Sequence, residues 1–401
     1  PSAAVPAVDV ASRTAAVEQL LAARSRAVLG RDQVAFLATV DPAATALRAR
    51  QAAVFDALGQ VPLGTFDYDL EPLRERPADA ALDGRYGREQ WWAPDVFLRY
   101  GLEGFDERPT VVEHHLTFVR RGGRWLLAAD DDFAAVGLET PRALWDNGPV
   151  VAVRAPGVLV LGHPGSKGLL GNVAELTSTA VSKVSSVWGQ GWQRRVVVIV
   201  PSDAKEMAGL LGSDGDLSRI AAVATAELTG GGEYDPAGDR VVVNPTTFST
   251  LSQLGRQVVL THEVTHVATR QATGPAVPSW LAEGFADHVA YREVELPLSV
   301  SARELRQDVR AGRLPERLPV DADFQGSNPA LAQAYEQAWL AVRLIAERDG
   351  AERLLRFYRA VGAGRDVEPE DAVATALRAQ LGTTLDELTA DWRAALRRQL
   401  A

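Results

Sequence analysis

The apolar residues of the first segment, residues 14–58, recur at helical spacing on both sides of a break at Pro42. After Pro62 the period changes to two, so that apolar and polar residues alternate as they do in strands. Residues 111–133 predict a hairpin in which Gly122-Gly123 makes the turn between two strands. Helices followed by a curved antiparallel sheet predict a small α+β unit.

Two of the histidines lie on the first strand of this hairpin. The alternation places His114 on the same face as Val112, Leu116 and Phe118, and His115 on the opposite face. His114 is therefore expected in the core or in the wall of a pocket. A ligand pocket marked by the two histidines is the less favoured interpretation.

The pattern changes character near residue 148. Residues 150–162 predict two short buried strands joined by a Pro-Gly turn, and an amphipathic helix follows. RRVVVIVP (194–201) is apolar throughout, which is typical of a central strand buried on both faces. RVVVNP (240–245) predicts another strand, and the remaining pattern up to the C terminus is helical.

These segments predict an α+β protein of two domains, because 401 residues exceed what one ordinary core accommodates. The first domain covers residues 14–147 and consists of helices and a curved antiparallel sheet. The second covers residues 148–401 and combines a mixed sheet with a helical C-terminal part. Residues 1–13 are rich in Pro, Ala and Val and are expected to be linker-like.

Composition removes several classes of function. A net charge of −10 argues against nucleic acid and anionic membrane surfaces as the main partners. No apolar run approaches the length that spans a membrane. The chain has no cysteine, so any metal ion must be bound by histidines and carboxylates.

The chain begins at Pro1 rather than at a methionine. Removal of a signal peptide or of a membrane anchor would leave such a start, and so would trimming of a cytoplasmic protein. Of the two we expect the extracytoplasmic or secreted location.

The motif THEVTH (261–266) holds two of the six histidines of the chain. On a helix, His262 and His266 share a face and can bind one metal ion together. Glu263, one step round the helix, can reach water at that ion. Two exposed histidines near a helix end are the alternative that this motif alone leaves open.

A catalytic zinc ion needs a third protein ligand and an open fourth position. The metzincin continuation is absent, because it requires glycine at 269 and histidine at 272 where the chain has Thr269 and Ala272. A second helix, starting at Pro278-Ser279, offers Glu283 as the third ligand. Asp287 lies one turn further on the same face and can accept a hydrogen bond from a ligating histidine.

HEVTH followed by WLAEGFAD resembles the gluzincin metallopeptidases, the thermolysin-like clan with a glutamate as third zinc ligand. The whole segment 150–401 is similar to bacterial peptidase-MA-like domains. The resemblance implies a Zn²⁺ ion bound by His262, His266 and Glu283, with Glu263 as general base and Asp287 supporting a ligand.

The same resemblance assigns two further roles. RVVVNP would be the edge strand that pairs with an extended substrate, so that the cleft would be lined by Arg240, Val242 and Asn244. Gluzincins supply a Tyr or His as donor to the oxyanion, and Tyr335 is the candidate here. Packing of Tyr335 on Trp339 is its structural alternative, and Tyr291 and His288 are weaker candidates for the donor.

The N-terminal part resembles the nuclear-transport-factor-like (SnoaL-like) cone domains, through its leading helices and its strand–GG–RW–strand hairpin. Together the resemblances imply a zinc-dependent hydrolase of peptide bonds. An endopeptidase is expected, since no GxMEN-type signature of exopeptidases lies near RVVVNP.

Two alternatives remain for the whole chain. One is a ligand-binding or partner-binding regulatory protein with a weakly active or inactive zinc domain. The other keeps the peptidase and adds an N-terminal domain that contacts the zinc cleft and restricts access to it.

Overall fold

The computed structural model describes residues 10–77, 79–213, 217–218, 220–228, 236–364 and 367–401, which form a mixed α/β structure with several sheets. The strands are β1 (Leu63–Glu75), β2 (Trp91–Trp92), β3 (Pro94–Leu102), β4 (Thr110–His115), β5 (Thr117–Arg121), β6 (Arg124–Ala129), β7 (Val151–Ala155), β8 (Val158–Gly162), β9 (Val196–Val200), β10 (Ala222–Leu228) and β11 (Pro236–Val243).

The helices are α1 (Val10–Leu29), α2 (Gln33–Leu37), α3 (Thr45–Leu58), α4 (Ala80–Tyr86), α5 (Lys167–Trp188), α6 (Ala204–Leu210), α7 (Pro245–Thr250), α8 (Gln253–Thr269), α9 (Ser279–Tyr291), α10 (Leu298–Ser301), α11 (Arg303–Arg310), α12 (Leu331–Asp349), α13 (Ala351–Gly362), α14 (Pro369–Ala376) and α15 (Leu385–Leu400). Short 3₁₀ turns occupy Ala134–Val136, Leu144–Asp146, Pro164–Ser166, Arg270–Ala272 and Asp321–Phe324, and a π-helical turn, Leu377–Leu381, follows α14.

The N-terminal part, the described residues before residue 148, has the helices and the antiparallel strands that the pattern predicts. Its strands form two three-stranded sheets, in the orders β1-β3-β4 and β2-β5-β6. The expected single strand through residues 112–118 is divided at Leu116, where the chain passes from one sheet to the other. The linker expected over residues 1–13 lies outside the described residues up to residue 9, and its last four residues belong to α1.

A five-stranded mixed sheet follows, in the order β10-β11-β9-β8-β7. Strands β8, β9 and β11 run parallel, and the outer strands β7 and β10 are antiparallel to their neighbours. The apolar run 194–201 forms the central strand β9, as predicted. Pro156-Gly157 makes the turn between β7 and β8, where Gly157 has a φ of 73° that favours glycine.

The expectation that RVVVNP is an edge strand is wrong. Its strand β11 is hydrogen-bonded to β10 on one side and to β9 on the other, so an extended peptide has no free edge to pair with. Arg240 turns towards the N-terminal part, and the Val242 side chain is buried. Asn244 is buried and accepts hydrogen bonds from the first turn of α7. The edge strand on this side of the described sheet is β10.

Alternate residues of the central strands point to opposite sides, and both sides are covered. Val158, Val160, Val196 and Val198 pack in the core formed with α5 and α8. The intervening residues, Leu159, Leu161 and Val197, share a second core with residues of the N-terminal part such as Leu98 and Tyr100. The segments before and after residue 148 therefore share one hydrophobic cluster.

A buried ion pair also joins the two segments. Both terminal nitrogens of Arg240 on β11 donate to the Asp106 carboxylate, each at 2.8 Å, and the two side chains are only 5% and 4% exposed. The backbone N–H of Leu102 donates to the same carboxylate at 2.8 Å. Such a two-point contact fixes the distance and the orientation of the guanidinium.

Within the described residues, no helix combines the length and the apolar character that crossing a membrane requires.

Replacing Asp106 with Asn should leave the buried Arg240 charge without a counter-ion and lower the free energy of unfolding by about 3 kcal/mol. Urea denaturation followed by circular dichroism measures this loss. The matched control is Asp69→Asn, since Asp69 pairs with Arg99 at the surface with side chains 55% and 40% exposed. A pair of that kind contributes about 0.5 kcal/mol. Equal losses in the two variants would contradict the anchoring role.

Candidate metal centre

Helix α8 carries the HEVTH motif and lies between the sheet and the next long helices. Ser252 begins it by accepting a hydrogen bond from the Gly255 backbone N–H at 3.1 Å. The residues Leu260, Val264 and Ala268 bury one side of the helix in the core. This packing leaves His262 and His266 facing α9.

Helix α9 supplies the two predicted carboxylates, and it starts at Ser279 as Pro278-Ser279 predicts. The backbone N–H of Ser279 donates to Asp321 at 2.8 Å, which satisfies one of the free donors of the first turn. Phe285 and Val289 lie on the buried side of the helix. Glu283 and Asp287 then point towards α8.

Three potential ligand atoms meet between the two helices. The His262 Nε2 lies 3.1 Å from the His266 Nε2 and 3.1 Å from the Glu283 Oε2, and the third side of the triangle is 3.3 Å. Tetrahedral ligands about 2.0 Å from a zinc ion are about 3.3 Å from one another. The two imidazoles and the carboxylate therefore have both the chemistry and the spacing of a three-residue metal site.

Asp287 fixes the orientation of the first histidine. Its carboxylate lies 2.8 Å from the His262 Nδ1 and accepts a hydrogen bond from the N–H there, so that the Nε2 side of the ring faces Glu283 and His266. Burial by itself lowers the pKa of His262, but the carboxylates of Asp287 and Glu283 raise it well above the ordinary value. Burial raises the pKa of Glu283, and the two histidines reverse this and hold it well below the usual range.

Glu263 lies on α8 next to the candidate ligand His262 and is only 8% exposed. Burial raises its pKa, and the nearby His262 and His266 oppose the rise. A hydrogen bond from the Ala224 backbone N–H also favours the ionised form. The carboxylate is thus held between the two histidines and strand β10.

Tyr335 on α12 lies beside the candidate ligands. Its ring centroid is 6.2 Å from that of His262, and its other aromatic neighbour is Phe324 at 5.3 Å. Burial and then the charges of Glu283, Asp287 and Glu263 raise its pKa far above the ordinary value. Trp339, the packing partner that sequence alone suggested, lies against Tyr291 instead, at 4.9 Å.

Gly284 explains how α12 comes so close to α9. A Cβ atom at this position would lie 2.4 Å from the backbone oxygen of Ala338, so only glycine allows the two helices to approach. Phe324 belongs to the turn that begins with Asp321, the residue bound to the start of α9. Neither the close approach at Gly284 nor the contact from Phe324 was predicted from the sequence, although a glycine directly after Glu283 is compatible with close helix packing.

The weaker donor candidates lie in other surroundings. Tyr291 stacks on Trp339, and burial followed by the Asp287 charge raises its pKa to about 12. Burial and the cations Arg292 and Arg343 lower the pKa of His288 to about 4. Neither residue belongs to the triangle of ligand atoms.

Comparison with models of known protein families and with curated proteins returned no match for this chain.

Zinc titration of the metal-free protein should show one tight site, and Glu283→Ala should abolish it by removing a ligand. Asp287→Asn should weaken zinc binding by about 10–100-fold, because a neutral amide oxygen replaces the charged acceptor of the His262 ring. Competition with a chelating indicator measures both changes. His288→Gln, on the same helix but outside the triangle, is the control, and zinc affinities equal to wild type in all three variants would rule out this site.

Proposed function

We propose that this protein is a zinc-dependent peptidase of the gluzincin type, acting as an endopeptidase. The observation that carries the proposal is the triangle formed by His262, His266 and Glu283, with the buried Glu263 at its side. A purely structural zinc site has four protein ligands and needs no base, whereas three ligands leave a position for water or substrate.

Zinc is the ion that this set of donors favours, since two imidazoles and one carboxylate form a common catalytic zinc site. When bound there, the ion supplies Lewis-acid chemistry that acidifies a water molecule and polarises a carbonyl group. One carboxylate against a divalent cation leaves the site with a formal charge of +1. Asp287 contributes by holding His262 in the tautomer that can bind the ion.

Glu263 is proposed as the general base that takes a proton from the attacking water and delivers it to the leaving amine. Its side chain is buried, which raises its pKa towards the range where a carboxylate exchanges protons efficiently. The hydrogen bond from Ala224 limits the positions that the carboxylate can adopt. Little displacement is then needed for either transfer.

Tyr335 is proposed as the hydroxyl donor to the developing oxyanion. The hydroxyl stays protonated over the physiological range, because burial and three neighbouring carboxylates raise its pKa. Phe324 and His262 hold the ring on two sides, so the donor is in position before the charge develops.

Strand β10 replaces β11 as the proposed partner of an extended substrate. It is the edge of the five-stranded sheet in the described part of the chain, and its Ala224 reaches Glu263. An edge strand can pair with a peptide backbone through main-chain hydrogen bonds. Strand β4 of the N-terminal part lies beside β10, which supports the proposal that this part restricts access to the cleft.

Glu263→Gln should retain zinc and lose hydrolysis, by about 10³-fold in kcat, because the amide cannot accept the proton. Digestion of a peptide library followed by mass spectrometry, with zinc analysis of the same samples, measures both properties. Loss of the zinc together with activity would make Glu263 a structural residue. Undiminished cleavage by the variant would refute the proposed chemistry.

Tyr335→Phe should lower kcat by about 10²-fold and leave KM nearly unchanged, because the hydroxyl acts on the transition state. Steady-state kinetics on a peptide found by the library digest separate the two constants. Tyr291→Phe is the matched control, since that ring stacks on Trp339 outside the ligand triangle. Similar losses in both variants would indicate a packing role for Tyr335.

A further inference from the structure

A cavity of about 700 Å³ lies between the N-terminal part and the five-stranded sheet. Its wall includes Leu98 and Val112 from the N-terminal sheet, and Leu161, Ile199 and Val242 from the five-stranded sheet. The lining is predominantly apolar, and the volume falls within the range of small-molecule sites. None of the candidate metal ligands belongs to this wall.

Several lining residues of the cavity are polar and exposed. Among them are Glu139, and Asp203 and Lys205 at the start of α6. The interior residues Leu98, Leu127 and Leu161 are buried in the surrounding cores. The exposed part of the lining is therefore polar, and the buried part is largely apolar.

One end of the interior is polar and carries the cation Arg24, which lies 4.2 Å from the centroid of the Phe36 ring but pairs with no carboxylate among the described residues. The Arg24 guanidinium is 3% exposed and donates to Thr39 at 2.8 Å and to the Gln51 amide oxygen at 2.5 Å. Both partners are neutral, and the Arg24 Nε has no hydrogen-bond partner among the described residues. Because Gln51 accepts from Arg24 through its oxygen, its NH₂ group remains as a donor.

His114 adds a third donor to this polar end. Its imidazole lines the cavity, and its ring neighbour is Tyr68, at 6.5 Å between centroids. Burial and the cations Arg142 and Arg24 lower the pKa of His114 to about 4. The ring is therefore neutral at physiological pH and offers one N–H.

Two other buried charged groups of the wall, Asp130 and Arg240, are already paired. Asp146, a further carboxylate of the wall, accepts from the Ala143 backbone N–H at 2.8 Å. Asp130 accepts from Arg50 at 2.6 Å and from Arg142 at 2.8 Å. Arg240 is bound at two points to Asp106. Arg24 differs from them because its two partners carry no charge, so a negative group is favoured at its end of the cavity.

We propose that this cavity binds a small amphiphile with a single carboxylate. The apolar body of the molecule lies against the lining contributed by both sheets, and the carboxylate lies at the polar end formed by Arg24, Gln51 and His114. This site is distinct from the candidate metal centre, and its occupancy does not depend on the proposed hydrolysis.

Titration of the full chain with cis-parinaric acid tests the proposal, because this fatty acid fluoresces in apolar surroundings. Trp145 lines the cavity and should transfer excitation energy to the bound probe. The methyl ester of the same acid is the matched ligand, equal in its apolar chain but without the charge. We expect the acid to bind at least about tenfold more tightly than the ester. No saturable binding, or equal affinities for acid and ester, would overturn the proposal.

Two neighbouring substitutions locate the probe. Val112→Trp places a large ring in the cavity and should abolish binding, whereas Val111→Trp, on the opposite face of β4, should leave it unchanged. Equal effects of the two variants would place the probe elsewhere and refute the site. Arg24→Gln should remove the preference for the acid over the ester. If that variant fails to fold by circular dichroism, the Val112 and Val111 pair decides.

Discussion

The ion pair between Arg240 and Asp106 joins residues 134 positions apart in the chain and lies in the interior. A buried charge that loses its partner is strongly destabilising. The ion pair therefore keeps the segment around Asp106 packed against β11 in the folded protein. In the second core, residues of the N-terminal part cover Leu159, Leu161 and Val197. The five-stranded sheet is thereby buried on both sides, and the N-terminal part is one of its two covering layers.

The other covering layer builds the candidate metal centre. Valines of β8, β9 and β11 pack with α5 and α8 in one core, and α8 turns its histidines towards α9. Gly284 lets α12 approach α9, and this approach brings Tyr335 beside the candidate ligand His262. Ordinary packing contacts thus bring two histidines, three carboxylates and a tyrosine close together. The ligand triangle follows from the way these helices pack.

Sequence alone predicted the parts of this site that depend on local spacing. His262 and His266 share a helix face, and Glu283 and Asp287 share another, whatever surrounds the two helices. The edge strand was assigned wrongly because the order of strands in a sheet depends on pairing between distant segments. AVATAEL (222–228) is short and rich in alanine, so its pattern does not predict a strand. In the structure it forms β10, which pairs with the strand of RVVVNP and occupies the edge position. The sheet change at Leu116 is hidden for a similar reason, since the alternation of residues continues through it.

Strand β10 is the element that the metal centre and the large cavity have in common. Along this strand neighbouring residues face opposite sides, and Ala224 packs towards the α5 and α8 side while Thr225 lines the cavity. The backbone N–H of Ala224 reaches the Glu263 carboxylate, and Thr225 pairs with Arg240, the residue that anchors the N-terminal part. The anchor, the cavity wall and the contact to the proposed base are therefore consecutive along one hairpin. Close-packed protein interiors transmit strain. A displacement of β10 would therefore alter the anchor at Arg240, the cavity wall and the contact to Glu263 together.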